Sequence, residues 1–285
     1  MRNALLAASF AAAFAVPNLA AAQAAPAPAA APASPHTFTG NAGLFTDYRF
    51  RGISQTFKQP AIQGGFDYSH ESGFYVGNWN SNVNSGAGFP GGGIEMDFYG
   101  GWKKTWGDWG LDLGAIYYYY PGTDATAANF VANPKNGKAH TGRIHNSELY
   151  VGGSWKWLSA KYYYGISDYF SLPDTKKSNY LDLSGTYDLG NGWGIVGHVG
   201  SFKLKNWNTG ARGTNANYTD WKIGVTKDIS GWVLAASYID TSAKGSCTAV
   251  GGATEFYCFG NSAAGATKFK DVSNGTVVFS VSKTF

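Results

Sequence analysis

The sequence predicts an all-β transmembrane antiparallel β-barrel of about 12 strands, with short periplasmic turns and long extracellular loops. Three observations predict it. Stretches of about ten residues alternate polar and apolar side chains, and a tilted strand of that length crosses a bilayer. The connectors between the stretches alternate long and short, as the two ends of such a barrel require. Trp and Tyr collect where the stretches end, at the depth where amphipathic rings favour the headgroups. A closed sheet is the one non-helical structure that crosses lipid without leaving backbone hydrogen bonds unmade.

The chain begins with a targeting pattern. Arg2 precedes an apolar run from Ala4 to Val16, and Ala20-Ala21-Ala22 offers a small-residue cleavage site before Gln23. Residues 1–22 therefore read as a secretory signal, too short in its apolar run to span a bilayer. Residues 23–36, an Ala/Pro tract, read as a flexible lead-in with no means of packing a core. Residues 37–285 are the expected barrel domain. Charged residues make up 14% of the chain and aromatic ones 16%, with 39 Gly and a mean hydropathy of −0.22. A soluble domain carries about 25% charged residues. Low charge with middling hydropathy excludes a bundle of membrane helices and fits a body apolar outside and polar inside. The basic residues are scattered, which argues against a nucleic-acid partner.

The expected strands are 42–51, 60–69, 73–81, 94–104, 111–120, 145–157, 160–169, 179–189, 193–203, 217–228, 232–241 and 273–285. The short connectors, His70-Glu71-Ser72, 105–110 (TWGDWG), Leu158-Ser159, Gly190-Asn191-Gly192 and Ile229-Ser230-Gly231, carry the Gly, Asn, Asp and Ser that tight turns need. The long ones are 52–59, 82–93, 121–144, 170–178, 204–216 and 242–272. An even strand number starting in the periplasm returns Phe285 there. Side chains of a strand alternate between faces, so Ile94, Met96 and Phe98 oppose Glu95 and Asp97, Leu181 and Leu183 oppose Asp182, and Trp221 and Ile223 oppose Asp220 and Lys222. A Lys or Arg facing lipid at the midplane costs about 2–4 kcal/mol, so the charged face is the lumen. Trp106, Trp109, Trp155, Trp157, Trp193 and Trp232 mark one interface; Tyr117 to Tyr120 and Tyr169 are expected at the other. The last stretch places Val277, Phe279, Val281 and Phe285 on one face and Val278, Ser280, Ser282 and Thr284 on the other. A strand ending on an aromatic residue such as Phe285 is expected to engage the barrel-assembly machinery, and the outer face to contact outer-membrane lipid.

The stretch Gly43 to Thr56 (GLFTDYRFRGISQT), followed by Pro60-Ala61, Gln63 to Tyr68 (QGGFDY) and Ser72 to Trp79 (SGFYVGNW), resembles the amino-terminal signature of the TorF-type porins, proteobacterial outer-membrane proteins. The resemblance implies a bacterial outer-membrane barrel with a pore function. It brings no substrate and no binding residues.

The candidate pore-lining charges are Asp47, Arg49, Arg51, Asp67, Glu95, Asp97, Lys103, Asp112, Glu148, Lys156, Asp182, Asp220 and Lys222, with Gln63, Lys161 and His198 also read as inward. Asp47, Arg49 and Arg51 are expected as a stripe on the lumen face of the first strand. Strands about 4.8 Å apart and tilted about 40° give twelve of them a backbone diameter near 24 Å, and facing side chains leave roughly 10 Å. That width suits small polar solutes. The expected function is passive diffusion of small hydrophilic solutes; the alternative is a non-conducting structural or surface-binding barrel whose charges merely fill it. The 121–144 connector is long enough to fold inward as an eyelet. Cys247 and Cys258 lie in the longest connector, and an exported chain meets an oxidising compartment, so a disulfide is expected. Two sulfurs without a nearby His make a poor metal set, and no cofactor is expected. Residues 86–91 (GAGFPG) match a dinucleotide fingerprint in spacing alone, without its helix. His145, Asn146 and Ser147 supply hydrolase residue types, but neighbours on a strand point to opposite faces. No enzyme is expected.

Overall fold

In the computed structural model, residues 34–127, 132–263 and 265–285 are described; the expected signal segment and most of the lead-in lie outside them. Twelve antiparallel strands close into one barrel, each bonded to its chain neighbours. They are β1 (His36–Phe45), β2 (Ala61–His70), β3 (Phe74–Asn82), β4 (Ile94–Trp106), β5 (Trp109–Tyr119), β6 (His145–Trp155), β7 (Leu158–Gly165), β8 (Asn179–Gly190), β9 (Trp193–Lys203), β10 (Tyr218–Ile229), β11 (Trp232–Thr241) and β12 (Thr276–Thr284). The seam closes between β1 and β12, from Asn41 opposite Thr284 to Phe45 opposite Ser280. Closure leaves no strand edge, which is what lets a sheet sit in lipid.

The alternation sets which side faces what. Ile62, Phe66, Phe98, Leu183, Ile223 and Phe279 are exposed on the outer surface, while Glu95, Asp97, Asp182, Asp220 and Ser282 are buried inside. Charge and backbone polarity are thereby kept from the acyl chains. At the short-turn end, Trp106, Trp109, Trp155, Trp157, Trp193 and Trp232 are all exposed, forming the interfacial belt. The tight turns use the expected residues: Asn191-Gly192 and Ser230-Gly231 hold φ of 53° and 75°, and 54° and 83°, the paired positive angles of a hairpin turn whose twist matches its strands.

The structure corrects the first strand and the third short turn. The first strand runs over His36–Phe45, not 42–51, and takes in the end of the expected lead-in. Residues 46–60 instead leave the wall, and Arg49–Phe50 and Ile53–Ser54 form a two-stranded hairpin of their own. Arg51 and Gly52 at its tip take φ of 48° and 81°, which ends any strand there. The period-2 pattern of Asp47, Arg49 and Arg51 was a sign of extended backbone; it does not say which surface that backbone joins. At the third short turn the chain reverses at Lys156-Trp157, with Lys156 at φ 52°, rather than at Leu158-Ser159. Lys156 therefore sits at the exposed turn, its Nζ 3.9 Å from Asp108, and does not line the lumen. Tyr118, Tyr120 and Tyr169, expected at the outer interface, pack inside the barrel; of that run Tyr117 faces out with Tyr119 stacked on it.

The core lies inside the barrel at its long-connector end. Tyr48, Phe50, Ile53 and Phe57 from the 46–60 segment meet Phe89, Tyr120, Ile144, Leu172, Trp207 and Tyr257 from the other long connectors and strand ends. Cys247 and Cys258, both partly buried in the last long connector, are joined in a disulfide with Cα atoms 5.1 Å apart.

Candidate functional site

The lumen holds three polar assemblies, one on the hairpin and two on the wall. The 49–54 hairpin crosses the barrel. Arg49 anchors its base: Nε meets Asp47 Oδ2 at 2.6 Å, and Nη1 donates to the carbonyls of Gly52, Val272 and Asn274 at 2.9, 3.2 and 3.1 Å. Asp47 Oδ1 accepts from Ser54 and Thr56 at 2.6 and 3.1 Å. At the tip, the Arg51 guanidinium grips Glu148 of β6 with both forks, Nη1 to Oε1 at 3.0 Å and Nη2 to Oε2 at 2.6 Å. The two side chains are 1% and 0% exposed. Tyr118 donates to the same carboxylate at 3.2 Å. The guanidinium carbon lies 4.8, 5.2 and 4.4 Å from the ring centroids of Phe50, Tyr163 and Tyr180. A planar, weakly hydrated cation suits such an aromatic cage, and the fork matches a carboxylate. Gly52 passes so close to the wall that a Cβ would lie 2.4 Å from Thr241 Cγ2 and 2.8 Å from Asp220 Cβ, so a side chain there would clash as well as strain the backbone.

Glu95 and Asp97 of β4 lie beneath the same hairpin. Tyr48 donates to Glu95 Oε1 at 3.1 Å, and Tyr120 and the Asp97 carboxyl group are further side-chain partners of Glu95. In this region Glu95, Asp97 and Glu148 are enclosed with Arg51.

The second assembly centres on Asp112 of β5. Its oxygens accept from Tyr75 at 2.6 Å and from Lys161 Nζ at 2.7 Å. Lys103 Nζ stands 5.2 Å from the Tyr75 ring centroid, and Asp67 accepts from Tyr99 at 2.6 Å nearby on β2 and β4. The third spans β8 to β10. His198 Nδ1 is 3.2 Å from Asp182 Oδ2 and Nε2 is 2.7 Å from Asp220 Oδ2. Tyr180 donates to both Asp220 oxygens at 3.0 and 3.1 Å. Lys222 faces His198 in register. Ser184 Oγ lies 3.1 Å from His198 Nδ1 but hydrogen-bonds Asp182 at 2.5 Å. A serine whose proton is directed at a carboxylate is not activated by that imidazole.

Of the expected lining residues, the structure thus puts Asp47, Arg49 and Arg51 on the inward 46–60 segment, places Asp67, Glu95, Asp97, Lys103, Asp112, Glu148, Asp182, Asp220 and Lys222 on the inner wall, and moves Lys156 to a turn. The aromatic cage of Tyr118, Tyr163 and Tyr180 went unread, although strand alternation from Asp182 puts Tyr180 inward. Asn146 is buried in the lumen, while the His145 ring lies 5.8 Å from the outward Tyr117 ring, tilted at 41° to it; His145, Asn146 and Ser147 do not converge.

The family model for Gcw_chp, a bacterial protein of unknown function, matches residues 29–285. No curated protein sequence matches the chain. Among solved structures, the KdgM porin is 7% identical with a TM-score of 0.46 over 87% of this chain and 98% of its own. The NanC porin is 9% identical with a TM-score of 0.47 over 87% and 99%. OccAB4 of Acinetobacter baumannii is 11% identical with a TM-score of 0.39 over 84% and 56%.

Proposed function

We propose that this chain, which belongs to the Gcw_chp family of bacterial proteins, is an outer-membrane channel for small hydrophilic solutes whose lumen is closed at rest by the 49–54 hairpin. The observation that carries this reading is the Arg51–Glu148 pair, which ties the hairpin tip to the far wall through the lumen. A corridor of roughly 10 Å has no room for both a two-stranded ribbon and a solute. The hairpin is also dispensable to the wall: β1 and β2 pair over their whole length, from His36 opposite His70 to Phe45 opposite Ala61. It can leave without breaking a barrel hydrogen bond. The lumen charges then set ion preference, and no covalent chemistry occurs. The TorF-type likeness of the amino-terminal residues agrees with this reading. A permanently closed structural barrel is the second reading, favoured by the stacking of Phe89 on Tyr120 at 4.1 Å and the ring contacts of Phe170 with Phe50, Tyr118 and Tyr120 above the hairpin.

Conductance in a planar bilayer decides between them. Wild-type protein should show rare, brief openings. Replacing residues 49–54 with a short Gly-Ser linker should give long-lived openings of the full lumen. A folded truncated barrel that stays silent would establish the structural reading.

A further inference from the structure

The wall that Arg51 grips is a ready receptor for its head group. Tyr118, Glu148, Tyr163 and Tyr180 stand on or beside consecutive wall strands, β5 to β8, and their placement comes from partners other than the hairpin. Tyr163 packs on the rings of Tyr150 and Tyr180, at 5.5 and 6.3 Å between centroids. Tyr180 is fixed by its hydroxyl on Asp220 at 3.0 and 3.1 Å, and Tyr118 by its hydroxyl on Glu148 at 3.2 Å. Carboxylate and rings are therefore in place without Arg51, and little ordering is left to oppose binding. The seat also holds more carboxyl groups than one guanidinium can balance, because Glu95 and Asp97 are buried in the same region. An enclosed surplus of acid attracts cations and repels anions. When the hairpin leaves, Glu148 loses both forks of Arg51 at once and faces the lumen.

We propose that this seat binds a small solute carrying a guanidinium group, and that Arg51 is that solute's tethered stand-in. Two features choose guanidinium over other cations. Its planar fork matches the Glu148 carboxylate with two parallel hydrogen bonds, which a compact ammonium cannot make. Its weak hydration lets it lie against the faces of Tyr163 and Tyr180 at little cost in lost water. Access rests on the gate proposed above, since a solute reaches the seat once the hairpin has left. Solute and Arg51 then compete for one carboxylate, so the solute itself favours the open lumen, as a ligand that binds one of two states must.

The test is calorimetric titration, in detergent, of the full chain with residues 49–54 replaced by the Gly-Ser linker. The probes are arginine, lysine and citrulline, which share an amino-acid end and differ in the head: a planar cation, a point cation and a planar neutral group. Arginine should bind about tenfold or more tighter than either. Glu148→Gln in the same background should lose about tenfold or more of that affinity, while Asp108→Asn, at an exposed turn, should lose none. Wild-type protein, with Arg51 in the seat, should bind arginine about tenfold or more weaker than the replaced chain. Arg51→Ala, which vacates the seat by a single change, is titrated in parallel, and heat-modifiable mobility on SDS gels checks that each variant is folded. The site is overturned if arginine binds no better than citrulline or lysine, if Glu148→Gln keeps the affinity, or if Asp108→Asn loses as much. Bilayer recording of the same chain separates the site from the gate. Arginine binding without conductance keeps the site and removes the gate, whereas conductance without preference for arginine keeps the gate and overturns the site.

Discussion

At the scale of the residue, Arg51 carries more of the account than any other side chain. A bidentate pair sealed from water is costly to form and more costly to break, because removing one partner strands the other charge; the loss is about 3–5 kcal/mol. Arg51→Ala should therefore destabilise the closed state by that order and raise open probability, whereas Arg51→Met with Glu148→Met, which strands no charge, should lie close to wild type in stability. Urea unfolding in lipid vesicles checks both. His140, in the 120–144 connector, gives a pH prediction. Burial pushes its imidazole down to about 4, against a smaller upward pull from a hydrogen bond with the Phe170 backbone and the charge of Asp168. The folded value lies below the unfolded value near 6.5. The neutral ring's contribution is thus complete above pH 6.5 and is lost as pH falls toward 4. Hydrogen-exchange protection over residues 132–144 should drop between pH 7 and 4.5 in wild type and change less in His140→Gln; equal loss in both would remove His140 as the cause.

At the scale of the element, the wall was legible and the plug was not. Eleven of the twelve strands fall within a few residues of their expected places because one face must be apolar and the other polar, and that requirement writes period 2 into the chain. The first was displaced because Asp47, Arg49 and Arg51 carry the same period on a hairpin that packs inside. The 121–144 connector, expected as the inward element, supplies Ile144 and Ala125 to the plug, while the shorter 46–60 segment crosses the lumen. Its signal was present in the density of large apolar and aromatic residues, Tyr48, Phe50, Ile53 and Phe57, which no solvated loop would carry. The facing partners of Arg51 were not legible: Glu148 lies 97 residues away, and only closure of the barrel brings them together. The 247–258 disulfide braces the last connector alone, so Cys247→Ser/Cys258→Ser should loosen protection over 242–272 and leave the strands as they are.

At the scale of the whole molecule, the barrel divides its chemistry by side. Ile223 sits near the middle of β10, exposed outward, beside the inward Lys222. Ile223→Arg should cost about 2–4 kcal/mol of folding stability in a bilayer, and a cost near zero would mean that this face does not meet acyl chains. Inside, the closed lumen is an arrangement of one short ribbon against a wall that is complete without it. The most direct test of that claim ties the ribbon down. The Ser54 amide donates to the Val272 carbonyl at 2.9 Å, so Ser54→Cys/Val272→Cys can bridge the hairpin to the segment leading into β12. In single-channel recording the oxidised variant should be silent, and reductant should restore the openings of wild type, with reductant alone leaving wild type unchanged. Oxidised, fully bridged protein that conducts like wild type would contradict the account.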